Sequence, residues 1–251
     1  MNLINKFLRD KKLRSITALE DFVRIARSQE VSLEESEENI HKNLLEFRLN
    51  GDHACNGLLI TTDGYFLTAG HCAEESENHS YKKYFATLPN NKKSRIKHIC
   101  AVAKRDDLAL GKLSINSKPE AIRYRIEETN DLNHKPIAAL SRWDKELVKK
   151  YGLVTSSWNL RGVHPGQIYK GEPTNYKNHF LTNLSCIGGD SGGVIVDHER
   201  NLMGLVSIVR VICKKDKSEK GDFYTQGAKF GKALELTEFY IKTLKSRLEQ
   251  I

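Results

Sequence analysis

An all-β domain with helices at its two ends is the architecture this sequence predicts, and three observations carry it. From about residue 42 the chain breaks into short apolar runs separated by turn dipeptides, Asn50-Gly51 and Asp63-Gly64 among them, the pattern of β-hairpins. Many short strands of this kind in one chain imply a sandwich or a barrel. Before that point, and again from Leu234, apolar residues recur at the spacing of an amphipathic helix.

In chain order, Ile16, Leu19, Val23 and Ala26 form the first apolar stripe, with Glu20, Asp21, Arg24 and Arg27 between them. Thr17-Ala18-Leu19-Glu20 and Ser32-Leu33-Glu34-Glu35 both fit the capping box, so one or two helices are expected over residues 1–41. Residues 45–49 alternate, turn at Asn50-Gly51, and resume at 57–60; a second turn at Asp63-Gly64 leads into 65–68. Further strands are expected at 97–102, 108–113, 137–140, 153–157, 167–169, 180–184, 192–196, 202–212 and 221–228. The chain closes with the amphipathic pattern that begins at Leu234.

The 251 residues allow one large all-β domain or two small ones, with room for a sizeable core. Charged residues at 29% beside 39% hydrophobic ones exclude a disordered chain, and no apolar run is long enough to span a membrane. The net charge of +8 is spread along the chain, which reads as a solvated surface and not as a specific nucleic-acid site. The first fourteen residues carry six charges and no following apolar core, so a signal peptide is not expected and cytosolic synthesis is, with export by another route as the alternative.

The chemistry centres on Gly188-Gly189-Asp190-Ser191-Gly192-Gly193. Glycines let the backbone turn sharply and bring its N–H groups close to a bound carbonyl. A serine hydroxyl becomes a useful nucleophile beside a general base and beside donors for the developing oxyanion. A base is offered by His71, in Leu67-Thr68-Ala69-Gly70-His71-Cys72, and an acid by Asp107, heading Asp107-Leu108-Ala109-Leu110, where alternation points Asp107 and Ala109 to one side. Asp106 competes for the acid's place. With these motifs in this order, and with Gly204-Leu205-Val206-Ser207 behind them, the chain resembles the trypsin-like (chymotrypsin-fold) serine proteases over roughly residues 42–245.

The resemblance implies two packed six-stranded antiparallel β-barrels in a protease domain of residues 42–251, with their boundary near 125–150, an N-terminal helical extension over 1–41, and a C-terminal helix. It implies a serine endopeptidase in which Ser191 is the nucleophile, His71 the general base and acid, and Asp107 the group that orients His71. The N–H groups of Gly189 and Ser191 would form the oxyanion hole, Ser207 would lie beside Asp107, and Ser207, Ile208 and Val209 would offer backbone to an extended peptide. Cys55 with Cys72, and Cys186 with Cys213, match the family's disulfide pairs and leave Cys100 odd; reduced thiols in a cytosolic protein are the other reading. No metal and no organic cofactor are expected.

Specificity and activation depart from the family pattern. Ser191 lies five positions after Cys186, one more than is usual in the family, so the pocket base falls on Leu184 or Ser185, neither of them acidic. Asp222 aligns with a pocket-wall glycine; it would favour a basic or mixed basic and aromatic P1 side chain, or else face water. The usual activating amine has no counterpart between residues 15 and 42, so Asp190 needs another partner, and His53 stands where zymogens hold a histidine for that acid. The enzyme is then either active as made or held latent. A catalytically silent binding module is the rival reading, and residues 1–40 would be the element through which a regulatory partner acts or, more simply, helices packed on the barrel.

Overall fold

The computed structural model describes residues 3–28, 30–78, 84–88, 92–127, 136–142, 163–169, 178–182, 184, 186, 188–212 and 222–250. Two helices come first, α1 (Leu3–Ser28) and α2 (Leu33–Asn43). Six strands follow: β1 (Leu44–Leu49), β2 (Asp52–Leu59), β3 (Tyr65–Ala69), β4 (Tyr84–Thr87), β5 (Lys93–Ala103) and β6 (Leu108–Leu113), with α3 (Gly70–Asn78) between β3 and β4. They close into an antiparallel barrel in the order β1-β2-β3-β6-β5-β4. A second barrel of β7 (Pro136–Leu140), β8 (Val163–Tyr169), β9 (His179–Thr182), β10 (Val194–Asp197), β11 (Leu202–Ile212) and β12 (Asp222–Lys229) closes as β10-β11-β12-β9-β8-β7. The last helix is α4 (Phe230–Glu249).

The expected double barrel is therefore the fold, and its turns follow from residue chemistry. Asn50 and Gly51 both have positive φ, 55° and 100°, which is the two-residue hairpin turn that Asn-Gly favours, with Leu49 paired to Asp52 across it. Register shifts leave an extra residue in β2 (Ala54), in β5 (Lys97 and Cys100) and in β11 (Met203 and Ser207), bulges of the kind by which a sheet bends enough to close.

The N-terminal stripe lands in the core. Ile16, Leu19, Phe22, Val23 and Ala26 share one buried cluster with barrel-1 residues such as Phe47 and Phe66 and with Phe230, Leu234 and Tyr240 of α4. Phe22 meets Tyr124 edge-on at 6.3 Å. Polar contacts bind the same surfaces: Ser15 donates to Asp63 at 2.8 Å, and Arg27 pairs with Glu238 at 3.2 Å. Among the readings of residues 1–40, this is the helix packed on the barrel.

Several local expectations shift. Ser32 caps α2, its Oγ accepting from the Glu35 N–H at 3.2 Å, but Thr17 lies inside α1 and its hydroxyl returns to the Leu13 carbonyl at 3.1 Å. A continuous apolar stripe carries the helix through that second capping-box match. β5 starts four residues before expectation because Lys93, Arg95 and Lys97 face solvent while Ser94 and Ile96 face inward, an alternation with few hydrophobic letters. β4 was not anticipated, and the strand expected at 153–157 lies outside the described residues.

Candidate active site

Sheet register brings His71 and Asp107 together. Ala69 at the end of β3 pairs with Leu108 at the start of β6, so the residues just beyond both strands leave the same end of the ladder. The chain turns from Ala69 into α3 at Gly70, whose N–H donates to the Asp107 carbonyl at 2.8 Å. A Cβ on Gly70 would lie 3.1 Å from both the carbonyl carbon and Oδ1 of Asp107, a tight contact that would press on the carboxylate. Asp107 itself is not in the strand. It ends a 3-10 turn (Lys104–Asp106) in the left-handed conformation, φ 46° and ψ 49°. That turn, and not strand alternation with Ala109, aims its side chain.

The Asp107 carboxylate is 7% exposed and fully engaged. His71 Nδ1 lies 3.1 Å from Oδ1 and 3.0 Å from Oδ2, the His71 N–H donates to Oδ1 at 2.9 Å, and the Ser207 hydroxyl donates to Oδ2 at 2.5 Å. Burial alone would raise this carboxyl, but the bonds and charge from His71, with the Ser207 bond, outweigh it and hold the group below the usual carboxylate range. Asp106 is directed elsewhere, accepting from Asn178 Nδ2 at 2.5 Å. The His71 side chain is 45% exposed.

Ser191 sits in a loop sewn to both barrels. Its carbonyl accepts from the Asn56 N–H of β2 at 2.7 Å, the Gly192 N–H donates to the Val206 carbonyl and the Val206 N–H to the Gly193 carbonyl, each at 2.7 Å. Gly189 and Gly192 have φ of 100° and 78°. The Ser191 hydroxyl donates to the Ser207 carbonyl at 3.4 Å. Ser207 thus touches the serine through its main chain and Asp107 through its side chain.

The Gly189 carbonyl is held by two donors, Asn56 Nδ2 at 2.8 Å and His53 Nε2 at 2.9 Å. His53 Nδ1 in turn lies 3.2 Å from Glu46 Oε1, which also takes Arg48 Nε at 3.0 Å. Glu46 is buried, which by itself would raise its carboxyl, but His53 and Arg48 bring it below the usual range. Both imidazole nitrogens of His53 are therefore occupied one residue short of the expected Asp190 pairing. Asp190 is fully buried, its carbonyl accepting from the Gly193 N–H at 2.9 Å. Asn56 also takes the Arg142 N–H on Oδ1 at 2.7 Å. Glu46 and Asn56 were missed in the sequence because each reads as an ordinary polar residue in a strand.

The remaining expected residues distribute as follows. Leu184 is fully buried and Cys186 lies with it in the second barrel's core cluster. Ser185 and Cys213 lie outside the described residues. Ile208 and Val209 pair in register with Gln226 and Thr225, and Asp222 with Ile212 at the head of β12. Cys55 and Cys72 are joined by a disulfide that ties β2 to α3 beside His71. Their sulfurs and a His71 ring nitrogen lie within 4.8 Å of one another, but sulfurs bonded to each other have no thiolate to offer a metal.

Two closed antiparallel barrels, with a His71–Asp107 pair on the first and a glycine-framed Ser191 on the second, joined through Ser207, which bonds Asp107 by its side chain and Ser191 by its carbonyl, are the architecture of the chymotrypsin fold. The chain belongs to the trypsin-like peptidase family, whose domain matches residues 55–205. Among solved structures it is similar to a serine endoprotease from Yersinia pestis, at 18% identity and a TM-score of 0.55 over 84% of this chain and 67% of that one. It is also similar to the HtrA-type protease AlgW with a tripeptide (16% identity, TM-score 0.58, 85% of this chain and 64% of that one). AlgW with a decapeptide gives 15% identity and a TM-score of 0.57 over 84% and 68%. The chain thus spans about two thirds of the length of these proteins. No curated protein matches it significantly.

Proposed function

We propose that the protein is a serine endopeptidase that cleaves peptide bonds through an acyl-enzyme on Ser191. The observation that carries this reading is the Asp107 carboxylate accepting both Nδ1 and the main-chain N–H of His71, which fixes the imidazole with Nε2 turned away from the acid. In the reaction the Ser191 hydroxyl leaves the Ser207 carbonyl, gives its proton to His71 Nε2 and attacks the substrate carbonyl. Asp107 stabilises the imidazolium that results. The N–H groups of Gly189 and Ser191 receive the oxyanion, a role worth about 10²–10³ in turnover per donor. His71 then protonates the leaving amine, and water completes the cycle by the reverse roles.

An extended peptide would lie along the Ser207, Ile208 and Val209 backbone as an added strand. Leu184 or Ser185 would lie at the base of its P1 pocket, and Asp222 would favour a basic P1 side chain from the wall. The test is labelling with a fluorophosphonate followed by peptide mapping. Wild-type protein labelled on Ser191, with labelling lost in Ser191→Ala and His71→Ala, is the expected result. Absence of labelling in wild-type protein that hydrolyses no peptide library would overturn the reading in favour of a silent binding module.

A further inference from the structure

The acid of the proposed triad is reached through Asp106 and Ser207 by a dipeptide that the sequence did not single out. Asn178 and His179, at the head of β9 in the second barrel, stand opposite Asp106 and Asp107 at the end of β5 and its 3-10 turn in the first. Asn178 Nδ2 donates to Asp106 Oδ1 at 2.5 Å. The Asn178 carbonyl meanwhile accepts from the Lys229 N–H at 3.1 Å, which anchors the dipeptide to β12. His179 Nε2 lies 3.1 Å from Ser207 Oγ, and Ser207 Oγ lies 2.5 Å from Asp107 Oδ2. His179 is 6% exposed, in register with Ala228 of β12.

The direction of these bonds follows from counting protons. A serine hydroxyl has one proton. Asp107 is ionised, so at 2.5 Å the Ser207 proton goes to Oδ2. The His179 contact must then run the other way, with Nε2–H donating to Ser207 Oγ. The chain of donors is His179 to Ser207 to Asp107, ending on Oδ2, the carboxylate oxygen that His71 Nδ1 also approaches at 3.0 Å. Bonds arranged head to tail polarise one another and strengthen the last in the series. Without the His179 proton the Ser207 hydroxyl keeps only its bond to Asp107 and loses the second contact that fixes its position.

The clamp also answers a conformational cost. Asp107 is a non-glycine residue with φ of 46°, a geometry that persists only where the surroundings over-determine it. Within barrel 1 the Asp107 N–H reaches the Lys104 carbonyl only at 3.4 Å. The Gly70 and His71 bonds hold the Asp107 carbonyl and carboxylate from barrel 1, and Asn178 on the preceding residue with the His179–Ser207 pair on the carboxylate adds restraint from the opposite barrel.

We infer that Asn178 and His179 are positioning residues of the protease: His179, donating through Nε2 to Ser207, sets the hydroxyl that orients Asp107, and Asn178 pins the turn that carries it. This rests on the triad reading above, and its test has an arm that does not depend on activity. Imidazole ¹⁵N NMR of the full-length protein, with the His179 signals assigned by their loss in His179→Gln, is expected to show a proton on Nε2. A neutral ring protonated on Nδ1 alone overturns the inference whether or not the protein is a peptidase.

The second arm measures the second-order rate of fluorophosphonate labelling at Ser191. His179→Leu and Ser207→Ala are each expected to slow it roughly tenfold, and the double variant no further than either alone, because both break one chain. His179→Gln, whose amide N–H reaches the position of Nε2, is expected to stay within about threefold of wild type. Losses that multiply in the double variant, or a His179→Leu rate within twofold of wild type, overturn the inference. Should His179→Leu fail to fold, the Gln and Ser207→Ala variants and the NMR arm still decide it.

Discussion

Replacing Gly192 by alanine tests how the nucleophile loop is seated. Its φ is 78°, where a side chain costs about 1–2 kcal/mol. The added Cβ would lie 2.0 Å from the Asn56 carbonyl oxygen and 2.4 Å from Thr68 Oγ1, far inside contact distance. Neither neighbour can withdraw freely. The Thr68 hydroxyl is bonded to that same carbonyl at 2.6 Å, the Asn56 N–H holds Ser191, and the Asn56 side chain bridges Gly189 and Arg142. Overpacking of this kind adds about 1–3 kcal/mol, for a total of about 2–5 kcal/mol, a large share of the ~5–15 kcal/mol that holds a domain folded. In urea unfolding the midpoint should fall by about 1–2 M. Displacing Ser191 by even about 1 Å should slow its labelling by roughly 100-fold. A Gly192→Ala protein that unfolds within about 0.3 M of wild type and labels within about twofold of its rate would refute the close seating of this loop on β2.

The other predictions concern the rest of the frame. Phe22→Ala removes a fully buried ring from the cluster shared by α1, barrel 1 and α4, and should cost about 3–5 kcal/mol, read as a fall of roughly 10 °C in Tm; an unchanged melt would show that α1 is not part of the cooperative core. Cys55→Ser with Cys72→Ser opens a disulfide of sequence separation 17 and should lower stability by about 3 kcal/mol, measured against untreated and reduced wild type. Glu46, Asp63 and Asp107 all bind protons less readily folded than unfolded, so their contribution is complete above the unfolded carboxyl range, about pH 4–5, and is lost as pH falls through the lower folded values; a pH series of thermal melts should show Tm dropping below pH 5, and a flat series would contradict it. Burial pushes the Cys100 thiol up to about 11, so its alkylation at pH 8 should run roughly 100-fold slower than that of an ordinary thiol, with Cys100→Ser identifying the peptide.

The local chemistry was legible residue by residue. Asn50-Gly51 predicts its own turn because few other pairs tolerate two positive φ values, and the glycines around Ser191 report a backbone that must bend. The stripe from Ile16 to Ala26 is a helix with a core-facing side whatever it packs against. His71, Asp107 and Ser191 were readable because each lies in a short motif whose neighbours are fixed by the same local geometry. β4 and the first half of β5 were not readable, because only one face of a barrel strand turns inward and here that face is carried by few apolar residues, Ala86 in β4 and Ile96 beside Ser94 in β5.

The sequence by itself determined that this chain builds strands, turns and terminal helices, and it singled out Ser191, His71 and Asp107 as the candidates for the proposed triad. Only the tertiary structure decided what holds them. Asn56 meets Gly189 across 133 positions, His53 meets Gly189 across 136, Ser207 meets Asp107 across 100, and Asn178 meets Asp106 across 72. Those partners are chosen by barrel closure and by the register of strands on opposite sides of a cleft. A glutamate in a strand or a histidine at a strand's start carries no local mark of the buried carbonyl or hydroxyl it will meet. The cost of leaving such a group unpaired is incurred only once the barrels have closed around it.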